Sequence, residues 1–298
     1  MTPRFGNFLA IDWSGAVGPR QPGIALAQCS IEGDAPRLLA PPDHRHWSRE
    51  MVLRHLRHDL SADTLVGMDL GISLPFKDGG AFFPGWERSP ADAPALWALI
   101  DTICADDPNL GAGSFVDHPD LSPYFRRHGG REGDRFHLSG TAHRRGRFRV
   151  TETAQERAGC KPYSNFNLVG AAQVGKSSLT GMRLLHQLRS QVFVWPVDGR
   201  DIPASGSVVV EIYTAIAALA ASRRAGRSKI RDGADLDAAL VQLGSPPTGL
   251  SGPLDDHSTD ALLTAAWLRR HADDKALWHP PELTEKIALT EGWTFGAA

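Results

Sequence analysis

The stretch FLAIDWSG, Phe8 to Gly15, is an apolar run that ends in a carboxylate, Asp12, and a Ser-Gly turn. A short apolar run closed by a turn predicts a buried β-strand. The same pattern returns in TLVGMDLG, residues 64–71, where the apolar run ends in Asp69. Two predicted strands that each end in a carboxylate are the starting point for the rest of the chain.

The other predicted elements surround these two strands. Two apolar runs, 23–33 and 36–42, lie between them, followed by a helix for which Ser48 is the predicted N-cap. Beyond residue 94 the patterns predict strands at 192–198 and 207–215, and helices at 95–105, 177–189, 214–224, 234–243 and 256–272. Strands interleaved with helices predict an α/β fold.

Residues from about 106 to 165 interrupt this pattern. They are polar, rich in glycine and arginine, and weakly periodic. We therefore expect a single domain over residues 1–298 that carries an Arg-rich insertion at about 106–165.

Composition narrows the class of protein. The 298 residues carry a formal net charge of −2, with 42% hydrophobic and 22% charged residues, as in ordinary globular proteins. The cysteines, Cys29, Cys104 and Cys160, are far apart and lack metal-ligand spacing, which argues against a disulfide framework and for a reducing, cytoplasmic location. We expect no signal peptide and no membrane span.

Basic residues are concentrated between positions 126 and 161. Clustered arginines can follow a phosphate backbone, although a solvated, flexible Arg-rich loop is an equally valid interpretation. On the first interpretation the candidate contacts to a nucleic-acid backbone are Arg126, Arg127, Arg144, Arg145, Arg147 and, further along, Lys176.

Lys176 lies in GAAQVGKSSLTGM, which matches the phosphate-binding pattern G-x-x-x-x-G-K-S over Gly170–Ser177. The preceding segment NFNLV is short and half polar, and two strand candidates follow the loop, too few for the parallel sheet that carries such loops. We therefore expect a glycine turn that leads into a helix, with Lys176 kept as a candidate contact to a nucleic-acid phosphate.

Carboxylates form the stronger candidate site. If the strands that end in Asp12 and Asp69 are neighbours, both side chains emerge at the same edge of the sheet, where a divalent cation would relieve their repulsion. Mg²⁺ prefers such oxygen ligands. In DDHSTDALLTAAWL, Asp256, His257 and Asp260 share the face of a helix start and could complete the site, although capping by acidic residues would look the same.

The segments FLAIDWSG, VGMDLGISLP, VVVEIYTA and DDHSTDALLTAAWL resemble an uncharacterised bacterial family of predicted RuvC/RNase H-like nucleases. RVTE, KPYSNFNLVGAAQVGKSSLTGM, VFVWPVD and EGWTFG are similar to it as well, so the resemblance covers nearly the whole chain. It implies an RNase H-like mixed five-stranded sheet with helices on both faces. The first strand would be central and the first three strands antiparallel.

The resemblance also implies a set of site residues. Its three carboxylates correspond to Asp12, Asp69 and Asp260, and His257 falls where RuvC-like proteins place an Asp or a His. A fourth acidic position is left open between Glu211 and Asp256.

These residues together lead us to expect a nuclease that depends on Mg²⁺ or Mn²⁺ and hydrolyses phosphodiester bonds in nucleic acid. Asp12, Asp69, Asp260 and His257 would be catalytic, and Asp256 or Glu211 a further metal ligand. One alternative is a nucleotide-binding ATPase or kinase-like protein, either actin-like or with a phosphate loop at Gly170–Ser177. The other is a catalytically silent nucleic-acid-binding domain.

Overall fold

The computed structural model describes residues 3–139, 145–170, 173–222 and 229–298, and these contain a six-stranded mixed sheet. Its order is β3-β2-β1-β4-β6-β5. Strands β1, β2 and β3 pair antiparallel, whereas β1–β4, β4–β6 and β6–β5 are parallel. The strands are β1 (Asn7–Asp12), β2 (Ala25–Ser30), β3 (Arg37–Leu39), β4 (Thr64–Asp69), β5 (Phe193–Trp195) and β6 (Val208–Glu211).

The number of strands corrects the expectation of five. All six strand candidates in the sequence form strands, and the interior position of β1 and the antiparallel β1–β2–β3 ladder match the expected arrangement. Strand β5 is three residues long and lies at one edge of the sheet. Pro196 follows it directly, and an edge position tolerates the loss of a ladder N–H there.

The sheet is buried on both faces because its strands alternate between two cores. In β1, Leu9 and Ile11 belong to one hydrophobic cluster, whereas Phe8 and Ala10 belong to the other. Strands covered on both sides read as continuous apolar runs, which explains the pattern of FLAI.

Ten α-helices lie in the described residues. Helices α1, α2 and α5 contribute to the first core, and α6, α7, α8 and α10 to the second. No helix in this part of the chain is both long and apolar enough to cross a membrane. The helices are α1 (Arg49–His58), α2 (Ala93–Ile103), α3 (Gly113–Asp117), α4 (Val150–Arg157), α5 (Val174–Leu188), α6 (Thr214–Ala220), α7 (Gly233–Gln242), α8 (Asp256–His271), α9 (Lys275–Trp278) and α10 (Glu285–Thr290).

The segment predicted as an insertion packs into the first core. Phe115, Tyr124, Phe125 and Phe136 are all buried there. The segment holds α3, α4 and three short 3₁₀ turns, so its order comes from an aromatic cluster and not from a long periodic helix. The weak periodicity of residues 106–165 therefore reflects short helices and turns that pack on the core, and not a loop that projects from it.

Candidate active site

The carboxyl ends of β1, β4 and β6 open on a cleft of about 440 Å³. Because these three strands are parallel, their last residues meet at one edge of the sheet. The start of α8 forms another wall. Six of the predicted site residues line this cleft: Asp12, Asp69, Glu211, Asp256, His257 and Asp260.

Asp12 and Asp69 are direct neighbours, as the sequence predicted. They are register partners at the ends of β1 and β4, and adjacent strands lie about 4.8 Å apart. Burial raises the pKa of Asp12. Burial, and then the negative charges of Asp12 and Asp260, raise the pKa of Asp69 well above its ordinary value. Among the described residues, the side chain that donates to Asp69 is the Thr214 hydroxyl, whose Oγ1 lies 3.5 Å from Oδ2.

Asp260 joins this pair from the first turns of α8. Burial, followed by the charges of Asp12 and Asp256, raises the pKa of Asp260 to about 7. In the described part of the chain, no side chain or backbone group donates a hydrogen bond to its carboxylate. The helix cap is a different acid, Asp255, which accepts from the Ser258 N–H at 2.8 Å. Asp260 is therefore not needed for capping.

His257 contacts the first carboxylate of the cleft. Its Nδ1 lies 3.2 Å from Asp12 Oδ2, and 47% of its side chain is exposed. This hydrogen bond raises the pKa of His257. A glycine makes room for the ring, since a Cβ at Gly23 would lie 3.3 Å from both Cε1 and Nε2 of the imidazole.

Asp256 reaches the cleft but is paired with cations. The Lys229 ammonium contacts Oδ2, and Arg231 Nε lies 3.6 Å from Oδ1. Its negative charge is therefore largely compensated, in contrast to that of Asp260.

Glu211 lies at the cleft wall in a buried ion pair. Arg149 donates to both of its oxygens, from Nη1 to Oε2 at 2.8 Å and from Nη2 to Oε1 at 2.6 Å. The Ile72 N–H also donates to Oε2, and the Thr294 hydroxyl to Oε1. With its oxygens occupied in this way, Glu211 is much less available to a cation than Asp69 or Asp260.

Arg149 and Glu152 are the site residues that sequence reasoning missed. Arg149 lies among the basic residues between positions 126 and 161, and the sequence gives it no separate role. It is buried and also pairs with Glu152, Nη2 to Oε1 at 2.6 Å. Burial alone would lower the pKa of Arg149, but Glu152 and Glu211 raise it. The usable signal was the spacing of an Arg and a Glu three residues apart in RVTE.

The remaining predicted backbone contacts are dispersed. Arg147 is 1% exposed, and its guanidinium pairs with Asp78 and with carbonyl oxygens including that of Phe82, so it is a core residue and cannot clamp a phosphate backbone. Arg145 pairs with Glu156 near the cleft. Arg144 lies outside the described residues.

Arg126 and Arg127 lie on the same stretch of chain and both have acidic partners. Arg126 Nε is 3.9 Å from Glu132, and Arg127 contacts Asp117. Arg127 lines a second cavity together with Lys176, next to the cleft.

The segment that matches a phosphate loop is a helix start, as predicted. Val174 begins α5, so Gly175, Lys176 and Ser177 are already helical. Their N–H groups donate to Asn167 O, at 2.9 Å from Gly175, and to Gln173 O, at 3.0 and 3.2 Å from Lys176 and Ser177. These donors are not free to cradle a phosphate.

This helix start instead supports the loop that follows β1. A Cβ at Gly15 would lie 2.3 Å from Ser177 N and 2.6 Å from Lys176 Cβ. The loop after Asp12 therefore rests directly on α5 at a position that only glycine fits.

In the described ranges, no group of three or more His, Cys, Asp or Glu side chains is arranged so that it could hold a metal ion. The carboxylates of Asp12, Asp69 and Asp260 lie in one cleft and have raised pKa values.

Comparison with known proteins gives no relative from which the role of this cleft could be inferred. No family model, no curated protein and no solved structure matches the chain.

Proposed function

We propose that this protein is a nuclease dependent on Mg²⁺ or Mn²⁺ that hydrolyses phosphodiester bonds in nucleic acid, built on an RNase H-like fold. The observation that carries the proposal is the convergence of Asp12, Asp69 and Asp260 on one cleft, with raised pKa values and few neutralising partners. Unpaired buried carboxylates are costly and cluster at functional sites.

The arrangement of the sheet supports the fold part of the proposal. Two neighbouring parallel strands end in carboxylates, and β1 also pairs antiparallel with β2, as the sequence resemblance implies. A third carboxylate comes from the start of α8, which packs in the core beneath the same strands. The edge strand β5 is an addition to the five expected.

The donor set fits a hard divalent cation. Asp12, Asp69 and Asp260 would hold Mg²⁺ or Mn²⁺, since carboxylate oxygens are preferred ligands and a cation removes the repulsion that raises their pKa values. Glu211 and Asp256 are weaker candidates because arginine and lysine already neutralise them. When bound, such ions polarise the phosphate and activate a water molecule.

The chain's own residues position the reacting groups. His257 Nδ1 fixes one oxygen of Asp12, and the ring's other nitrogen is left to exchange a proton with substrate or solvent. The Arg149–Glu211–Glu152 cluster holds the ends of β6 and α4 together beneath the cleft. This rigid floor would keep the carboxylates in place as the substrate binds.

The proposal is tested by incubating purified protein with Mn²⁺ on duplex, branched, single-stranded and RNA–DNA hybrid substrates. We expect wild type to cleave at least one of them and Asp12→Asn to be inactive. Identical traces for wild type and Asp12→Asn on every substrate would refute the nuclease. Salt-sensitive binding without any turnover would favour the silent binding domain instead.

A further inference from the structure

A second cavity of about 470 Å³ adjoins the cleft, and nothing in the proposed chemistry uses it. Gly15 and Ala16 line both spaces, so the loop after β1 forms a ridge between them. The volume is within the roughly 300–1,000 Å³ typical of small-molecule sites. The cavity is therefore large enough for a ligand, and one loop separates it from the cleft.

The lining of this cavity is apolar with cations at its walls. Ala112, Val116 and Leu168 contribute buried apolar surface. Val17 stands on the rim, 94% exposed. A largely apolar lining with a few polar or charged groups is typical of small-molecule sites.

Two cations of the cavity lack a carboxylate partner among the described residues. Lys176 makes no side-chain hydrogen bond or ion pair in this part of the chain. Arg49 is 2% exposed, and its guanidinium donates only to carbonyl oxygens: Ser14 O, Ala16 O and Asn109 O. Burial lowers the pKa of Arg49 to about 10, which leaves it charged at neutral pH.

Arg49 also bridges two walls of the cavity. It donates to Ala16 O at 2.5 Å on one wall and to Asn109 O at 2.7 Å on the other. Asn109 and Leu110 both have positive φ, 58° and 50°, next to this contact. Such backbone conformations cost energy and are often found at ligand sites.

The two acids of the lining are already engaged. Asp117 contacts Arg127, and Asp107 accepts from the N–H and hydroxyl of Ser114 at 2.8 and 2.6 Å. The charge left over in the cavity is positive, whereas the adjoining cleft is acidic.

We propose that this cavity binds one unpaired nucleotide of the substrate strand, with the base on the apolar surface and a phosphate at Lys176. The proposal rests on the proposed function and adds to it a class of substrate. A strand whose phosphodiester lies at the carboxylates crosses the Gly15–Ala16 ridge, and its neighbouring nucleotide then enters the cavity. A base can occupy such a cavity only if it is single-stranded or flipped out of a duplex.

The first test uses adenosine 5′-monophosphate in EDTA, with binding measured by calorimetry or saturation-transfer NMR. We expect the nucleotide to bind at least about tenfold more tightly than adenosine or inorganic phosphate, because both parts of the cavity contribute. Binding no tighter than that of inorganic phosphate would overturn the assignment of a base to the apolar surface.

The second test assigns the phosphate to Lys176. Lys176→Ala should weaken nucleotide binding about tenfold, the size expected for one charge-assisted contact, while Lys176→Arg retains most of it. Lys275→Ala, at an exposed lysine on α9 that does not line the cavity, is the matched control. Equal losses in both alanine variants, or no loss in Lys176→Ala with an unchanged melting temperature, would contradict the proposal.

A third test separates a nucleotide in a strand from a free nucleotide. In EDTA, a single-stranded oligonucleotide should bind more tightly than a blunt duplex of the same sequence. Lys176→Ala should make the slope of log Kobs against log salt about 0.7 less negative for the single strand. If the variant affects the mononucleotide but leaves the oligonucleotide unchanged, the cavity serves a free nucleotide and the substrate-strand proposal fails.

These tests do not depend on turnover. Nucleotide and single-strand binding that require Lys176, together with no cleavage by wild type, would support the cavity and refute the nuclease. Cleavage lost in Asp12→Asn, together with nucleotide binding indifferent to Lys176, would support the nuclease and refute the cavity.

Discussion

His257 Nδ1 lies 3.2 Å from Asp12 Oδ2, although the two residues are 245 positions apart in the chain. The contact joins the end of β1 to the first turn of α8. It fixes one oxygen of a buried carboxylate and gives a half-exposed imidazole a defined orientation. In the proposed nuclease this pair couples a metal ligand to a group that can carry a proton.

We expect His257→Ala to reduce cleavage about 100-fold, because both the orientation of Asp12 and the proton carrier are lost. The measurement is single-turnover cleavage in Mn²⁺ of a substrate identified in the panel. The pH is varied over roughly 5.5–9, a range that includes the interval in which imidazoles titrate. A lower rate with an unchanged pH profile would show that His257 only orients Asp12. An unchanged rate would exclude it from the site.

Gly23→Ala tests the space around this imidazole. The added Cβ would lie 3.3 Å from His257 Cε1 and Nε2, a tight contact that displaces the ring. We expect about a tenfold loss of cleavage with little change in melting temperature, since small displacements of catalytic groups are costly. Gly6→Ala is the control, because a Cβ there meets nothing within 4 Å. Equal activity in both variants would contradict the proposed role of Gly23.

The carboxylates should destabilise the cation-free protein at neutral pH. Burial, with the charges of Asp12 and Asp260, raises the pKa of Asp69, so the folded state holds protons that the unfolded state has released. Stability in EDTA should therefore fall as the pH rises from about 4, the ordinary range of a carboxyl group. We expect Asp69→Asn to raise the melting temperature in EDTA at pH 8 and to flatten this decline.

Asp34→Asn is the control of opposite sign. Partial burial raises the pKa of Asp34, but hydrogen bonds from Ser30 outweigh this effect and hold the pKa below its ordinary value. The ionised carboxylate of Asp34 therefore stabilises the folded state at pH values above the ordinary range of a carboxyl group. Loss of the Asp34 carboxylate should lower the melting temperature at pH 8.

Mn²⁺ should stabilise wild type and not Asp69→Asn, because only wild type retains the full ligand set. The same decline with pH in Asp69→Asn and wild type would refute this account.

Glu211→Gln separates a structural role from a metal-binding one. The change removes one of the two carboxylate partners of Arg149 and leaves Glu152 in place, so it weakens charged hydrogen bonds worth about 1.5–3 kcal/mol of unfolding free energy. We expect a large loss in urea unfolding but unchanged Mn²⁺ affinity in the folded protein. Affinity that falls as far as in Asp69→Asn would identify Glu211 as a ligand.

A triple variant controls for the burial of the charge. Arg149→Met with Glu152→Gln and Glu211→Met removes all three buried charges of the cluster, and it should be less destabilising than Arg149→Met alone, which leaves two buried carboxylates without their cation. A triple variant that is at least as unstable as Arg149→Met would instead indicate lost packing.

The strands were predictable from sequence because apolar runs closed by turns report burial on both faces of a sheet. All six candidates are strands, and Asp12 and Asp69 are neighbours because they end adjacent parallel strands. The expected count of five was wrong, because it came from the resemblance and not from those runs. The helical face of Asp256, His257 and Asp260 followed from the 3.6-residue period.

Which charged side chains are paired, and with which partners, could be read only from the tertiary structure. The sequence leaves the fourth acidic position open between Glu211 and Asp256, but Arg149, 62 positions away in the sequence, occupies the oxygens of Glu211. Arg147 looked like a surface cation, yet Asp78, 69 positions away, holds it in the core. The partners of Glu211 and Arg147 come from distant segments, and no local pattern encodes them.

The sequence by itself determined where the six strands and the longer helices form, and that Asp12, Asp69 and Asp260 lie at element ends. These features depend on burial and periodicity, which are local. Only the tertiary structure decided which acids remain unpaired, that the glycine-rich stretch at Lys176 supports the loop after β1, and that a cavity lies beside the cleft. Those features depend on long-range packing, which brings together residues that are remote in the chain.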